Sequence, residues 1–366
     1  MQRFRRMSAL VVGSVALMTV AAACGSSSTG TAGGTGFQGT ALTAGGATFP
    51  DPIYEQWLKD FQQKESGAKI NYQAIGSGGG VDGFTNGTFD FAGSDAPLQT
   101  DEIAALPGES IEIPTVLGGV AVSYNVAGID SGLKLDGQTI ADIFMGTVTA
   151  WNDPAIASQN PGVTLPSTPI SVVHRNDESG TTFVFTNWLS SQSPEWASKV
   201  GADKAVAWPT GTGGDGNDGV AAGVSQTDGS IGYLSFDFAV SSGLGVAQIK
   251  RADGTYVAPS VASISKAGGD LTFPIQPTSN ILNANAPGAY PIASTTYLLI
   301  PKDMSDANKA QTIFDFVTWA LTTGQAEATQ LNYSPLPSDV AAQGLKELSA
   351  MTAGGTALTA SPGIGG

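Results

Sequence analysis

The feature that most limits how this chain can fold is the alternation of strand-like and helix-like segments. A buried-type strand at residues 169–175 (PISVVHR) leads into a helical segment at 181–192 (TTFVFTNWLSSQ). A later strand at 290–301 (YPIASTTYLLIP) precedes a helix in which apolar residues recur at i, i+3, i+4, i+7 and i+8 from Ile313. Such alternation predicts an α/β fold. A length of 366 residues suggests two domains, and no change of composition separates them, so we expect them to be interleaved.

The N-terminus has the three parts of a secretory signal, namely three arginines, an apolar run and small residues before Cys24. We predict a signal peptide over residues 1–23. Ala-Ala-Ala-Cys resembles a bacterial lipobox, in which the cysteine is lipidated with palmitate and anchors the protein to the outer face of the cell membrane. The alternative is a plain signal peptide with a chance cysteine. Residues 24–40, rich in glycine, serine and threonine, are predicted to be a flexible linker after that cysteine.

The chain is acidic and poor in residues that hold metals. Its formal net charge is −15, and without residues 1–23, which contain three arginines and no acid, 13 basic residues face 31 acidic ones. Such a surface repels nucleic acid and anionic lipid, so we predict no nucleic-acid partner. One cysteine and one histidine exclude a disulfide framework and weaken any Cys- or His-based metal or catalytic site. We therefore predict no metal, no cofactor and no catalytic residues.

Three places combine a strand, a turn with hydroxyl and glycine residues, and the start of a helix. They lie at Thr48-Phe49, at Ser77, and at Ser179-Gly180-Thr181. A helix N-terminus has free N–H groups and a partial positive charge, so it is suited to an anion. Each turn alone could equally be an ordinary helix N-cap. Their recurrence shifts the interpretation toward a site for an oxyanion.

Two charged residues could complete such a site. Arg175 offers a planar pair of donors that matches a tetrahedral oxyanion, and Asp177 could pair with it and fix its rotamer. An exposed ion pair of little energetic value is the alternative. Asp95 would repel an anion unless a proton lay between them. Phosphate keeps a proton near neutral pH and sulfate does not, so a buried Asp95 would favour phosphate. An ordinary turn aspartate before proline is the other reading.

Eight motifs occur together in one order, from about residue 41 to residue 340. They resemble the phosphate-binding protein family of bacterial Pst ABC transporters, and they are GGATFP (45–50), IGSGGGV (75–81), GSDAPL (93–98), PTVLGGV (114–120), HRNDESGTTF (174–183), WPTGTGGDGNDG (208–219), GSIGY (229–233) and YPIASTT (290–296). Any one of these motifs is weak, whereas the ordered set is specific.

The resemblance implies a role for each candidate residue. Asp95 would accept the ligand proton, and Asp177 would hold Arg175 toward phosphate. The remaining phosphate-binding residues would offer hydroxyl or backbone N–H groups, and they are Thr48, Phe49, Ser77, Ser179, Gly180 and Thr181. Two positions depart from the family pattern, because Gly78 stands where many members have serine and Glu178 where many have glycine. Glu178 beside the site could weaken anion affinity.

The resemblance also implies an architecture. We expect a two-lobed periplasmic binding protein of type II, with the ligand cleft between the lobes. Residues 41–116 plus 290–350 would form lobe I and residues 117–289 lobe II, with hinge crossings near 115–120 and 286–292. Residues 351–366, rich in glycine, threonine and alanine, are predicted to be a disordered tail.

The implied function is capture of inorganic phosphate outside the cytoplasm by a monomer that delivers it to ABC transporter permease subunits. Two alternatives stay open. One is a binding protein for another oxyanion. The other is a secreted phosphatase, which would need a metal cluster or a nucleophile opposite the phosphate site.

Overall fold

The computed structural model describes residues 40–365. The predicted signal peptide, Cys24 and all but the last residue of the predicted linker therefore lie outside the described residues. Among the residues described, no helix is both long enough and apolar enough to cross a membrane.

Short elements alternate along the described part of the chain. The strands are β1 (Thr40–Gly46), β2 (Ala68–Ala74), β3 (Phe91–Ser94), β4 (Ser110–Asn125), β5 (Lys134–Leu135), β6 (Ser171–Arg175), β7 (Thr212–Gly214), β8 (Ser230–Ser235), β9 (Gly245–Val246), β10 (Gln248–Lys250), β11 (Tyr256–Val257), β12 (Ala293–Pro301), β13 (Asp303–Met304), β14 (Thr352–Ala353) and β15 (Thr356–Ala357). The α-helices are α1 (Asp51–Lys64), α2 (Ser77–Thr85), α3 (Thr100–Ala105), α4 (Gly137–Phe144), α5 (Pro154–Ala157), α6 (Gly180–Gln192), α7 (Pro194–Lys199), α8 (Gly216–Gln226), α9 (Phe236–Ser241), α10 (Val261–Ser265), α11 (Ala307–Leu321) and α12 (Ser338–Leu348). Two 3-10 helices cover Gly268–Asp270 and Thr323–Leu331.

The main sheet has the strand order β2-β1-β3-β12-β4-β8-β6-β7, and β9 also pairs with β4. Strand β1 runs parallel to β2 and β3, and β6 runs parallel to β7 and β8. Strand β4 is antiparallel to both β12 and β8. The sheet thus has two parallel portions, which are joined through the antiparallel strands at its centre.

Strand β4 belongs to both halves of the sheet. Its residues 110–119 pair with β12, and its residues 120–125 pair with β8. It is buried along nearly its whole length, as expected for a strand covered on both faces. The change of partner lies between Gly119 and Val120, where the second passage of the chain is also close, because Val120 N–H donates to the Ile292 carbonyl at 2.9 Å.

Each half has its own aromatic packing against the sheet. Helix α1 buries Trp57 and Phe61, and the Phe61 ring packs edge-on against Phe316 of α11 at 5.4 Å between centroids. In the other half, Phe185 of α6 stacks on Tyr233 of β8 at 4.3 Å. Buried rings contribute much of the core energy of a domain. Both helices are therefore held firmly against the strands whose ends carry the candidate site.

The end of the chain differs from the expectation of a disordered tail at residues 351–366. Strand β14 pairs in parallel with β13 and in antiparallel with β15. Beyond these strands, the Ser361 hydroxyl and N–H donate to Asp315 at 2.7 and 2.9 Å, and Ile364 is buried. A segment rich in glycine and threonine shows no apolar period, so its composition alone suggests disorder. Its order comes from partners distant in sequence.

Candidate functional site

Three parallel strands end at the same edge of the sheet, and each is followed by a candidate residue. Gly46 at the end of β1 is in register with Ala74 of β2 and with Gly93 of β3. The chain continues from these strands to Thr48, Ser77 and Asp95. In open α/β sheets the carboxyl ends of the strands are where ligands bind. The strand register therefore explains why these three positions meet.

Thr48 lies between β1 and α1, and its hydroxyl oxygen accepts two hydrogen bonds from Asn217. The side-chain amide of Asn217 donates at 2.9 Å and its backbone N–H at 3.3 Å. Phe49 is fully buried, and its carbonyl accepts a hydrogen bond from the Tyr333 hydroxyl at 2.6 Å. Because Asn217 belongs to α8, the contact joins the N-terminal ends of two helices from opposite halves of the sheet.

Ser77 opens helix α2, and the turn before it needs glycine. Gly76 has φ +91°, and a Cβ there would lie 2.5 Å from Asp177 Oδ2. The two departures from the family pattern are in contact, because a Cβ on Gly78 would lie 2.3 Å from Glu178 Cβ. Gly78 N–H donates to the Glu178 carbonyl at 2.9 Å. The absence of a side chain at residue 78 therefore makes the room that Glu178 occupies.

Asp95 is buried at the end of β3. Its N–H donates to Ser77 Oγ at 3.1 Å, and its Oδ1 accepts a hydrogen bond from the Thr296 hydroxyl at 2.9 Å. Burial raises the pKa of Asp95 to about 7, although the Thr296 hydroxyl and the nearby Arg175 both act to lower it. The carboxyl group is thus balanced between its two protonation states near neutral pH.

Arg175, at the end of β6, is buried together with its ion pair. Its Nε donates to Asp177 Oδ1 at 2.6 Å, and its Nη2 donates to Asp177 Oδ2. The third nitrogen, Nη1, lies 3.3 Å from Thr181 Oγ1. The Arg175 side chain is 1% exposed, so the pair is not the exposed surface bridge that the sequence left open. Asp177 fixes one edge of the guanidinium and leaves Nη1 directed toward the third turn.

The third turn begins helix α6. Ser179 is its N-cap, and Ser179 Oγ accepts a hydrogen bond from Thr182 N–H at 3.1 Å. A Cβ built on Gly180 would lie 2.4 Å from Ser77 Oγ and 2.8 Å from Asp95 Oδ2. The helix start therefore lies against the Ser77 turn and Asp95. Ser179 is an ordinary cap, and in this place the cap also lies beside the buried carboxylate and guanidinium.

The structure thus brings Ser77, Asp95, Arg175 and the start of α6 together in one cluster, and Asn217 links Thr48 to it through Thr181. Sequence reasoning missed Asn217 and Thr296, which link that cluster across the sheet. Asn217 follows the glycine-rich run at 211–216. The run contains β7 and leads directly into α8. The motif at 208–219 contains Asn217, but no local pattern in it indicates the contact with Thr48.

His174 lies next to the cluster and faces away from it. Its ring stacks on Trp208 with centroids 4.9 Å apart, and its Nδ1 is 2.9 Å from the Arg175 carbonyl. Burial lowers the pKa of His174, so the neutral ring is favoured at neutral pH. Across residues 40–365, no group of three or more His, Cys, Asp or Glu side chains is placed to hold a metal ion.

These groups can hold a small tetrahedral oxyanion that carries a proton. Hydroxyls and N–H groups at the starts of α2 and α6 are donors, Arg175 supplies the positive charge, and Asp95 can accept a proton from the ligand. Asp95 also borders a cavity of about 310 Å³ that is lined in part by Phe183, Tyr297 and the segment 277–282.

A mixed sheet whose two halves meet at one shared strand, with a buried polar cluster between their helix ends, defines the α/β class of two-lobed solute-binding proteins. Comparison with known proteins agrees with this class. Residues 25–323 match the family model for the PBP superfamily domain. A high-affinity periplasmic phosphate-binding protein, PfluDING, solved with bound phosphate, has a similar fold with a TM-score of 0.67 at 24% identity, over 83% of this chain and 92% of that one.

Curated relatives define the family more narrowly. The phosphate-binding protein PstS of Xylella fastidiosa (strain Temecula1) is 41% identical over 307 residues, covering 82% of this chain and 83% of the relative. Phosphate-binding protein PstS 3 of Mycobacterium leprae is 37% identical over 333 residues, covering 86% and 89%. The chain belongs to the PBP superfamily and, within it, to the PstS family of phosphate-binding proteins. The resemblance inferred from the eight motifs and the predicted fold class are confirmed.

Proposed function

We propose that this protein is an extracytoplasmic substrate-binding protein that captures inorganic phosphate and delivers it to the permease of an ABC transporter. Curated relatives about 40% identical over most of the chain are phosphate-binding proteins. One observation carries the proposal to this chain. The cluster unites a buried guanidinium, the N-terminal ends of helices and a buried carboxyl group around one point, and these are the groups that a protonated oxyanion requires.

Phosphate would be bound by Thr48, Phe49, Ser77, Asp95, Arg175, Ser179, Gly180 and Thr181. Monohydrogen phosphate would donate a hydrogen bond to the Asp95 carboxylate through its own proton. Its remaining oxygens would accept hydrogen bonds from the hydroxyls, the backbone N–H groups and Arg175. Sulfate has no proton to donate, so it would leave two buried negative groups facing each other, and this repulsion would exclude it.

Capture would proceed by closure of two lobes. We propose lobe I at residues 41–116 plus 290–350, lobe II at 117–289, and a hinge at 115–120 and 286–292. The change of partner along β4 supports this division, because the strand pairs with β12 before Val120 and with β8 from Val120 onward. Such a closure repeats the hinge mechanism of other two-lobed receptors. A decrease in the radius of gyration on adding phosphate, measured by small-angle scattering, would test it.

The proposal includes location and assembly. Residues 1–23 would be removed as a signal peptide, and Cys24 would carry the lipid that holds the protein at the outer face of the cell membrane, with residues 24–40 as the tether. The protein would act as a monomer, with no metal, cofactor or catalytic activity. A Cys24→Ser variant should appear in the medium or the soluble extracytoplasmic fraction. Retention of that variant in the membrane would contradict the anchor.

Calorimetric titration with phosphate at neutral pH, with and without excess sulfate, tests the central proposal. We expect one phosphate per chain and no competition from sulfate. No phosphate binding, or equal binding of sulfate, would overturn the proposal in favour of another oxyanion. Release of phosphate from phosphate esters by the purified protein would instead favour the phosphatase alternative.

The chain offers a matched control for the site. Arg175→Met should abolish phosphate binding, because it removes the buried positive charge. Lys309 also pairs with an aspartate, at 2.7 Å from Asp90, but it lies at the start of α11 and its partner precedes β3, whereas Asp95 of the site follows that strand. Lys309→Met should therefore leave phosphate binding unchanged. Equal losses in the two variants would show that general charge, and not the site, determines binding.

A further inference from the structure

Buried hydroxyl groups lie around Thr296, and the Thr296 hydroxyl contacts the Asp95 carboxylate. Thr115 Oγ1 lies 3.2 Å from the Thr296 carbonyl, which can only accept, so the Thr115 proton points there. Tyr54, 2.7 Å from Thr115 Oγ1, must then be the donor to it. The Thr296 hydroxyl in turn donates to Asp95 Oδ1 at 2.9 Å, while its alternative acceptor, the Ser94 carbonyl, is farther away at 3.4 Å. When Asp95 is ionised, the Thr296 hydroxyl is the donor in this hydrogen bond, because a carboxylate can only accept.

Thr296 lies beside a β-bulge between β12 and β4. Thr296 of β12 pairs with Val116 of β4, whereas the next residue, Tyr297, pairs with Pro114, so Thr115 has no partner on β12. Bulges change the direction of side chains and often occur beside functional sites. On the other edge of β12, Tyr297 is in register with Ser94, so Thr296 lies beside the residue that follows, Asp95.

We propose that Thr296 is a specificity-determining residue that acts through Asp95. By occupying Oδ1 with a donated hydrogen bond, it favours the ionised form of the carboxylate and leaves Oδ2 as the acceptor for the proton of monohydrogen phosphate. Of the two carboxylate oxygens of Asp95, Oδ2 is the one nearer to the Gly180 position at the start of α6. The inference rests on the proposed function, because it assumes that phosphate occupies this cluster.

The environment of Asp95 explains why one hydroxyl can decide its protonation. Burial raises the pKa of Asp95 to about 7, and the hydrogen bond from Thr296 is the largest effect that opposes this rise. The titratable and charged groups that face Asp95 are Arg175, Asp177, Tyr54, Tyr72, Tyr297 and Tyr333. Burial raises the pKa of each of these phenols above its ordinary value, so the phenols stay neutral between pH 6 and pH 8.5.

Removal of the hydroxyl should change which anion is bound. Valine has nearly the same shape as threonine but no hydroxyl. In Thr296→Val the Asp95 carboxylate therefore loses a hydrogen-bond donor, and protonated Asp95 becomes more populated. Protonated Asp95 can donate to sulfate and can no longer accept from phosphate. We expect phosphate affinity to fall about ten- to hundredfold, which is the value of a hydrogen bond to a charged group. Sulfate should become a measurable ligand.

Calorimetry with phosphate and with sulfate, each from pH 6 to pH 8.5, measures both effects. Sulfate does not titrate in this range, so its pH profile reports the protonation of the site alone. Sulfate binding to Thr296→Val should strengthen as the pH falls. The midpoint of this increase should lie at a higher pH than in the wild type. Thr296→Ser, which keeps the hydroxyl, should behave as the wild type does. If Thr296→Val does not fold, as judged by thermal unfolding, Thr296→Ala takes its place.

The neighbouring Thr295 provides a matched control, because its buried hydroxyl donates to the Val116 carbonyl at 3.1 Å and not to Asp95. Thr295→Val should lose stability but keep wild-type discrimination against sulfate. If the wild type rejects sulfate and Thr296→Val rejects it equally well, the inference is overturned while the proposed function stands. If the wild type binds no phosphate, the proposed function is overturned together with this inference.

Discussion

Lys204 forms a buried ion pair that we expect to exist only when the two proposed lobes are closed. Its Nζ is paired with Glu102 Oε1, and the two side chains are 6% and 21% exposed. Glu102 Oε2 also accepts a hydrogen bond from Gln99 N–H at 2.8 Å, which fixes the acid at the start of α3. The Lys204 carbonyl accepts a hydrogen bond from Ser179 N–H at 2.9 Å. Lys204 therefore connects lobe I to the helix start that would bind phosphate.

A second acid, Glu112, also interacts with the positive charge of Lys204. Burial raises the pKa of Glu112 to about 7, with Glu102 raising it further and Lys204 lowering it. In Lys204→Met the closed cleft would hold these acids without a nearby cation. Loss of one partner of a buried ion pair costs about 3–5 kcal/mol. Because Glu102 keeps some contact with water, we expect about 2 kcal/mol, which corresponds to roughly a 30-fold increase in the Kd for phosphate.

Calorimetric titration with phosphate measures this increase, and thermal unfolding without phosphate shows whether the loss is specific. If the pair exists only in the closed state, the phosphate-free protein should unfold at nearly the wild-type temperature. Glu102→Gln should weaken phosphate binding as well. The double variant should bind more tightly than the sum of the two single losses predicts, because it leaves fewer unpaired charges.

Lys199 and Glu195 provide the matched control, since they form an exposed pair with side chains 63% and 53% accessible. An exposed pair four residues apart on a helix contributes about 0.5 kcal/mol or less. Lys199→Met makes the same change of charge and should leave the phosphate Kd unchanged. Wild-type affinity in Lys204→Met, or additive losses in the double variant, would refute the reasoning.

Two further predictions follow from the same region. Gly180→Ala should reduce phosphate affinity at least about 100-fold, because in the closed arrangement its Cβ would lie 2.4 Å from Ser77 Oγ of the proposed lobe I. Unfolding without phosphate should change little, because this clash is absent when the proposed lobes are apart and alanine suits a helix start. Gly108→Ala, whose Cβ meets no atom within 4 Å, should bind phosphate normally. Burial, with Glu55 and Asp218, raises the pKa of Asp51 to about 6, so the stability it contributes is present below pH 3.8 and is lost as the pH rises through 6. Asp51→Asn should then increase the free energy of unfolding at pH 8 but not at pH 3.5, and an equal effect in urea titrations at both values would contradict this assignment.

Local patterns predicted most of the elements around the site. The apolar spacing from Ile313 onward predicted a helix that is present as α11, and the run TTFVFTNWLSSQ predicted the body of α6. Both depend on side chains a few residues apart, which a sequence displays directly. Helix α1 begins at Asp51 rather than at the Thr48-Phe49 turn, with Pro50 at its N-cap and Pro52 in its first turn.

The partners of the site residues could not be predicted in the same way. Thr296 is 201 residues from Asp95 in sequence, and Asn217 is 169 residues from Thr48. Their contacts depend on the order of the strands and on one bulge in β4, which no local pattern encodes. The contact between Gly78 and Glu178 is a similar case. Each residue alone departs from the family pattern, and only the fold shows that the small residue accommodates the large one.

The net charge of the chain opposes the binding of an anion, and the geometry of the cluster shows how the opposition is overcome. The surface is strongly acidic, but charges separated by more than about 8 Å through water are largely screened at physiological ionic strength. Arg175 is almost fully buried, so water screens its interaction with a bound anion far less. The starts of α2 and α6 add N–H groups, which attract an anion but carry no net charge, so they leave the net charge of the surface unchanged. The acidic exterior and the anion site can therefore coexist, since one acts through solvent and the other by contact.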